Sequence, residues 1–70
     1  MVFEVIGLHN EHNVKETLQN TLKLEEELMR TYLITADYIH QNEGLQTRLR
    51  EFAEGNAKRS RQLIDELKNL

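Results

Sequence analysis

Glu25 is a carboxylate where the surrounding pattern asks for an apolar side chain. Leu18 and Leu22 precede it and Met29 and Tyr32 follow it at helical spacing, so its charge falls on the inward face. A second interruption lies between Phe52 and Leu63, where Asn56, Arg59 and Ser60 take inward places. If the chain doubles back at residues 42–44, Glu25 comes opposite residues 59–62, and the two irregularities share one height. A sequence that breaks its own binary pattern twice at the same level marks a functional or specificity site. Three arrangements fit these residue types. In the first, Glu25 and Arg59 form a buried or half-buried ion pair that fixes register, with Asn56 and Ser60 satisfying the remaining hydrogen-bonding groups. In the second, Glu25 leans out to solvent beside Glu26 and Glu27. In the third, Glu25 is a metal ligand doubled by symmetry in a dimer, although one carboxylate beside an arginine is a poor donor set for a hard or borderline cation.

The other residues capable of chemistry form no complete set. His9 and His12 precede the first helical segment, with Glu16 one turn after His12, but a metal site needs three or four converging ligands. They read as surface residues. His40 closes the first helical segment, where a partly charged imidazole suits the helix dipole. Tyr32 and Tyr38 read as core and interface residues rather than redox tyrosines. The sequence contains no phosphate-cradling glycine loop and no Ser-His-Asp arrangement. No catalytic residue is identified.

The elements that must position Glu25 are two long helices. With no proline and only Gly7, Gly44 and Gly55, the chain has few breakers. Asn13-Val14-Lys15-Glu16 reads as a capping box opening the first helix. Its apolar stripe is Val14, Leu18, Leu22, Met29, Tyr32, Leu33 and Ala36, with Leu28 and Ile39 beside it. Leu24, Ile34 and Tyr38 lie off that stripe, so the helix is apolar over more than one seam and implies a second contact, with the lead-in or with another chain. Gln41-Asn42-Glu43-Gly44 reads as the turn, Asn and Gly tolerating the left-handed conformation that ends helices. The second stripe is Leu45, Leu49, Phe52, Ala53, Leu63, Ile64, Leu67 and Leu70. Gly55 interrupts that helix at a cost of about 1 kcal/mol relative to Ala, or admits a neighbouring helix closely.

The run Glu25-Glu-Glu-Leu-Met-Arg-Thr-Tyr32, then Ala36, a turn ending in Gly44, and Phe52-Ala53-Glu54 resembles the helical hairpin of the ferritin-like superfamily, the rubrerythrin type most closely, over about residues 18–70. The resemblance implies an inward Glu with a Tyr two turns later on the first helix, places held by Glu25 and Tyr32. It also implies a Glu-x-x-His on the second helix aimed at the same metal centre. Those places hold Arg59 and Gln62, and Glu54 has Ala57 three residues on. The resemblance therefore implies the fold and a dimer of hairpins, while this departure from the pattern removes the ligands for oxidase, peroxidase or iron-storage chemistry.

Size and composition limit the rest. Seventy residues make one domain, and a chain this short usually needs disulfides, a metal or a partner subunit. The sequence has no cysteine, which leaves association as the open route. A net charge of −3 argues against nucleic acid, and the cluster Lys58-Arg59-Ser60-Arg61, flanked by acids, reads as a solvated helix surface. The apolar start, Val2 to Leu8, has no basic flank and is too short for a signal peptide or a membrane span, which points to a cytoplasmic protein.

The expected fold is all-α: an antiparallel two-helix hairpin that dimerises into a four-helix bundle. Residues 1–12 are a lead-in, either a brief strand or a single helical turn, and residues 13–70 are the hairpin, with helices at about 13–41 and 45–68. Leu24, Tyr32, Ile34 and Tyr38 are the expected interface. The expected function is that of a non-enzymatic bundle module acting through self-association or a protein partner, without cofactor, membrane or nucleic acid. The alternative is a ferritin-like metal-binding protein of the di-iron or manganese type, assembled across a homodimer through Glu25.

Overall fold

The computed structural model describes the backbone from residue 11 and the side chains from residue 13, each through residue 70. Residues 1–10 of the lead-in, His9 among them, lie outside the described residues, as does the side chain of His12, while the backbone of residues 11–12 belongs to the first helix and not to a separate lead-in. Two helices form an antiparallel hairpin, α1 over Glu11–Tyr38 and α2 over Glu43–Lys68, and among the described residues there is no strand. Neither helix is long and apolar enough to cross a membrane.

The ends of the helices differ from the sequence expectation in three places, each for a local reason. Helix α1 is already formed at Glu11, so Asn13 is interior to it and caps nothing. The Asn-x-x-Glu spacing that suggests a capping box is equally at home inside a helix. At the bend, α1 stops at Tyr38 and α2 starts at Glu43, so the connection is residues 39–42 and His40 lies beyond the last turn of α1. Asn42 is the N-cap of α2: its Oδ1 accepts from the Leu45 N–H at 2.9 Å, and its carbonyl accepts from the Gln46 N–H at 3.0 Å. Gly44 thus sits in the first turn of α2 and supplies no left-handed residue to the bend.

Where α1 ends, its carbonyls are satisfied from the other helix. The Gln46 side-chain N–H2 donates to the carbonyls of Ala36 at 2.8 Å and Ile39 at 3.2 Å. The Ala36 carbonyl also accepts from the Ile39 N–H at 3.3 Å, so the Gln46 amide adds a second bond there and fastens the end of α1 and the residue after it to α2. Asp37 and Arg50 meet at 3.5 Å across the same end, both exposed.

The core between the helices is thin. Among the described residues only Ala36 and Ala53 are buried apolar side chains, and the largest fully buried side chain is the amide of Asn56. Leu18, Leu22, Met29, Leu45, Leu49, Leu63 and Leu67 line the seam half-buried. Two cylinders touch along a line, and side chains flanking that line stay wet unless something else covers them.

Candidate functional site

The polar layer sits at mid-height of the hairpin. Glu25 belongs to the α1 face that carries Leu18, Leu22 and Met29, and Asn56 and Arg59 follow one another by three residues on α2. Asn56 Nδ2 donates to Glu25 Oε1 at 2.6 Å, and Arg59 Nε donates to Glu25 Oε2 at 2.9 Å. The Glu25 side chain keeps 16% of its exposure and that of Arg59 keeps 55%, so the carboxylate is enclosed while the guanidinium reaches solvent. Both carboxylate oxygens are thereby engaged. Because a carboxylate only accepts, the Asn56 amide must present its nitrogen to Glu25 and turn its oxygen away.

These bonds hold the Glu25 carboxyl below its ordinary pKa of 4.5. The bond from Asn56 contributes most, then the bond from Arg59, and partial desolvation works against them. The rest of the Arg59 guanidinium folds back over Gly55, where an added Cβ would stand 3.5 Å from Nη1. Ser60, one turn beyond Asn56, is buried but brings no bond to the layer. Its Oγ and the Asn56 Oδ1 have no hydrogen-bond partner among the described residues. The structure thus brings Glu25, Asn56 and Arg59 together, at the level of residues 56–59 rather than 59–62, and leaves Ser60 adjacent and unsatisfied.

Beside this layer Tyr32 and Phe52 meet edge to face, ring centres 5.5 Å apart at 61°. Glu25, Leu28, Tyr32, Phe52, Gly55 and Arg59 belong to the lining of an open hollow of about 350 Å³ on one face of the hairpin. Of the residues expected at an interface, Leu24, Ile34 and Tyr38 are 58%, 55% and 77% exposed, and Tyr32 is half-buried against Phe52.

A di-metal centre does not fit this donor set. Glu25 is committed to an amide and a guanidinium, and Arg59 and Gln62, which occupy the places for which the resemblance implies Glu and His, supply a fixed positive charge and an amide instead. Among the described residues no three His, Asp or Glu side chains converge. His40 is exposed on the bend. Gln46 and its two carbonyls were not foreshadowed by any residue pattern; a glutamine one turn after an Asn cap is the only signal that could have suggested a clamp. No family model, curated protein or solved structure matches the chain.

Proposed function

We propose that this chain is a non-enzymatic helical-bundle module that acts by self-association, two hairpins completing a four-helix bundle. The observation that carries the reading is the inversion of its burial: an amide is the largest fully enclosed side chain, while Leu24, Leu28, Ile34, Tyr38 and Phe52 are about half exposed or more. Apolar side chains gain about 25 cal/mol for each Å² removed from water, and a hairpin this thin leaves most of that gain unrealised until a second surface covers it. Sedimentation equilibrium tests it: a concentration-dependent dimer is expected, and a folded monomer at micromolar concentration would overturn the proposal. The cytoplasmic setting expected from the sequence is carried as part of the same proposal.

The ferritin-like alternative has in its favour a carboxylate held at mid-height of the hairpin, as a shared centre across a dimer would need. Against it stand the two bonds that already occupy that carboxylate. Stoichiometric iron, manganese or zinc in the purified protein, lost on Glu25→Gln, would reverse the ranking.

A further inference from the structure

One flank of α1 carries no charge over its whole length. Val14, Thr17, Thr21, Leu24, Leu28, Thr31, Thr35 and Tyr38 recur at alternating intervals of three and four, the spacing of a helix-packing seam. This stripe lies roughly a quarter-turn from the one that meets α2, since Glu25 and Ala36 each follow a member of it, Leu24 and Thr35, by one residue, or about 100°. It reads nearly the same in both directions. Positions whose numbers add to 52 match in kind over the middle of the helix, Leu24 with Leu28, Thr21 with Thr31 and Thr17 with Thr35, and at the ends Val14 falls opposite Tyr38, both uncharged but unlike in size. Thr21 donates its hydroxyl to the Thr17 carbonyl at 2.8 Å, which leaves its methyl for the seam. Under a two-fold axis perpendicular to the helix each residue meets its counterpart from the other end, so on this stripe leucine would meet leucine and threonine would meet threonine, with no charge or bulk mismatched at the centre.

Helix α2 supports the same axis independently. Glu25 bonds Asn56 and Arg59, Tyr32 packs on Phe52, and Gln46 reaches Ala36 and Ile39, so the level midway between Leu24 and Leu28 lies near residue 57 of α2. An axis through that level pairs α2 positions whose numbers add to about 114. On the flank that shares the hollow, these are Arg48 with Glu66, Phe52 with Gln62, and Gly55 with Arg59. Opposite charges meet at the ends, and Gly55, which has no side chain, falls opposite the long side chain of Arg59.

We infer, resting on the self-association reading, that the occupant of this face is a second copy of the chain, packed antiparallel, α1 on α1 and α2 on α2. The two-fold axis passes between Leu24 and Leu28, and Arg48 of each copy faces the partner's Glu66. The Leu24 and Leu28 layers form the dry centre, the threonine layers extend it, and the Arg48 pairs close the rim. At the axis Glu25 and Arg59 of both copies add to zero charge.

Charge reversal on the full chain tests this. Arg48 and Glu66 are exposed and eighteen residues apart on one helix, about 27 Å, so they cannot meet within one chain. Arg48→Glu and Glu66→Arg singly should each weaken the dimer roughly tenfold by sedimentation equilibrium, with helical circular dichroism retained. Both changes in one chain should restore wild-type affinity. Thiol cross-linking gives the direction, since the chain has no cysteine of its own. With a short bismaleimide, Thr17→Cys chains mixed with Thr35→Cys chains should cross-link, and neither variant should cross-link alone. A dimer in which the double reversal fails to recover, in which Thr17→Cys links to itself, or in which the mixture does not link would overturn this packing and leave self-association standing. A wild-type monomer would overturn both.

Discussion

Glu25 is held by two donors of different kinds, and the difference sets its pH behaviour. Asn56 carries no ionisable group, and Glu25 is the group in the layer whose pKa the bonds displace. Its folded pKa lies below the ordinary 4.5, so its contribution to stability is complete above the unfolded value and is lost as pH falls through the folded one. Urea unfolding at fixed protein concentration should therefore show little change from this group between pH 7 and 5 and a decline below about 4.5. Asn56→Ala and Arg59→Leu should each shrink that decline, because Asn56 lowers the pKa through its bond and Arg59 through a bond and its charge; a decline unchanged in either variant would remove that donor from the layer. Ser60 makes the opposite case. Its buried Oγ meets no partner among the described residues, so Ser60→Ala removes an unsatisfied hydroxyl and adds helix propensity. A gain of about 1 kcal/mol in chemical denaturation is expected, and a loss would show that the hydroxyl is bonded in solution. The meeting of Glu25, Asn56 and Arg59 could be read in advance because polar residues in an apolar stripe stand out and hairpin geometry matches their heights. The idle hydroxyl could not, since a satisfied and an unsatisfied serine have the same place in a pattern.

At the level of the helices, the long runs were readable and their ends were not. Apolar periodicity over α1 and α2 follows from many residues acting together, whereas each end depends on one or two bonds whose partners come from elsewhere. The bend shows this. Asn42 is an ordinary cap that the Gly44 beside it disguised as part of a turn, and Gln46 is chosen by where the α1 carbonyls happen to stop. Gln46→Ala should fray the last turn of α1 and cost about 1 kcal/mol, visible as faster amide exchange at the end of α1 with the middle of the hairpin unchanged. Gly55 separates two effects. Within one hairpin a Cβ there makes only ordinary contact with Arg59, so Gly55→Ala should raise helix stability by about 1 kcal/mol at the lowest measurable concentration. If the partner's Arg59 packs there, the same change should weaken the dimer. Stability and affinity moving in opposite directions is the expected signature, and a parallel rise would remove Gly55 from the contact.

Taken whole, the molecule keeps two uses of its apolar residues apart. The half-buried leucines and two alanines hold the hairpin, while Leu24, Leu28, Ile34 and Tyr38 stay exposed outside that seam and Phe52 stays half exposed against Tyr32. The excess of apolar positions on α1 was readable in the sequence as surface outside the hairpin seam, and Leu24, Ile34 and Tyr38 are exposed there. What would cover it is not legible in that pattern, because amphipathicity records how much apolar surface a helix has and says nothing of direction. The clamp at the bend carries a kinetic consequence. Gln46 reaches back only seven and ten residues, whereas the bonds to Glu25 span 31 and 34. Short loops close first, so the hairpin should zip from residues 36–46 toward its open end, within the microsecond-to-millisecond range of low-contact-order helical proteins. If hairpins pair as proposed, encounter between finished ones becomes the slow event: stopped-flow refolding should show a fast phase indifferent to protein concentration, and a later one whose rate climbs with it.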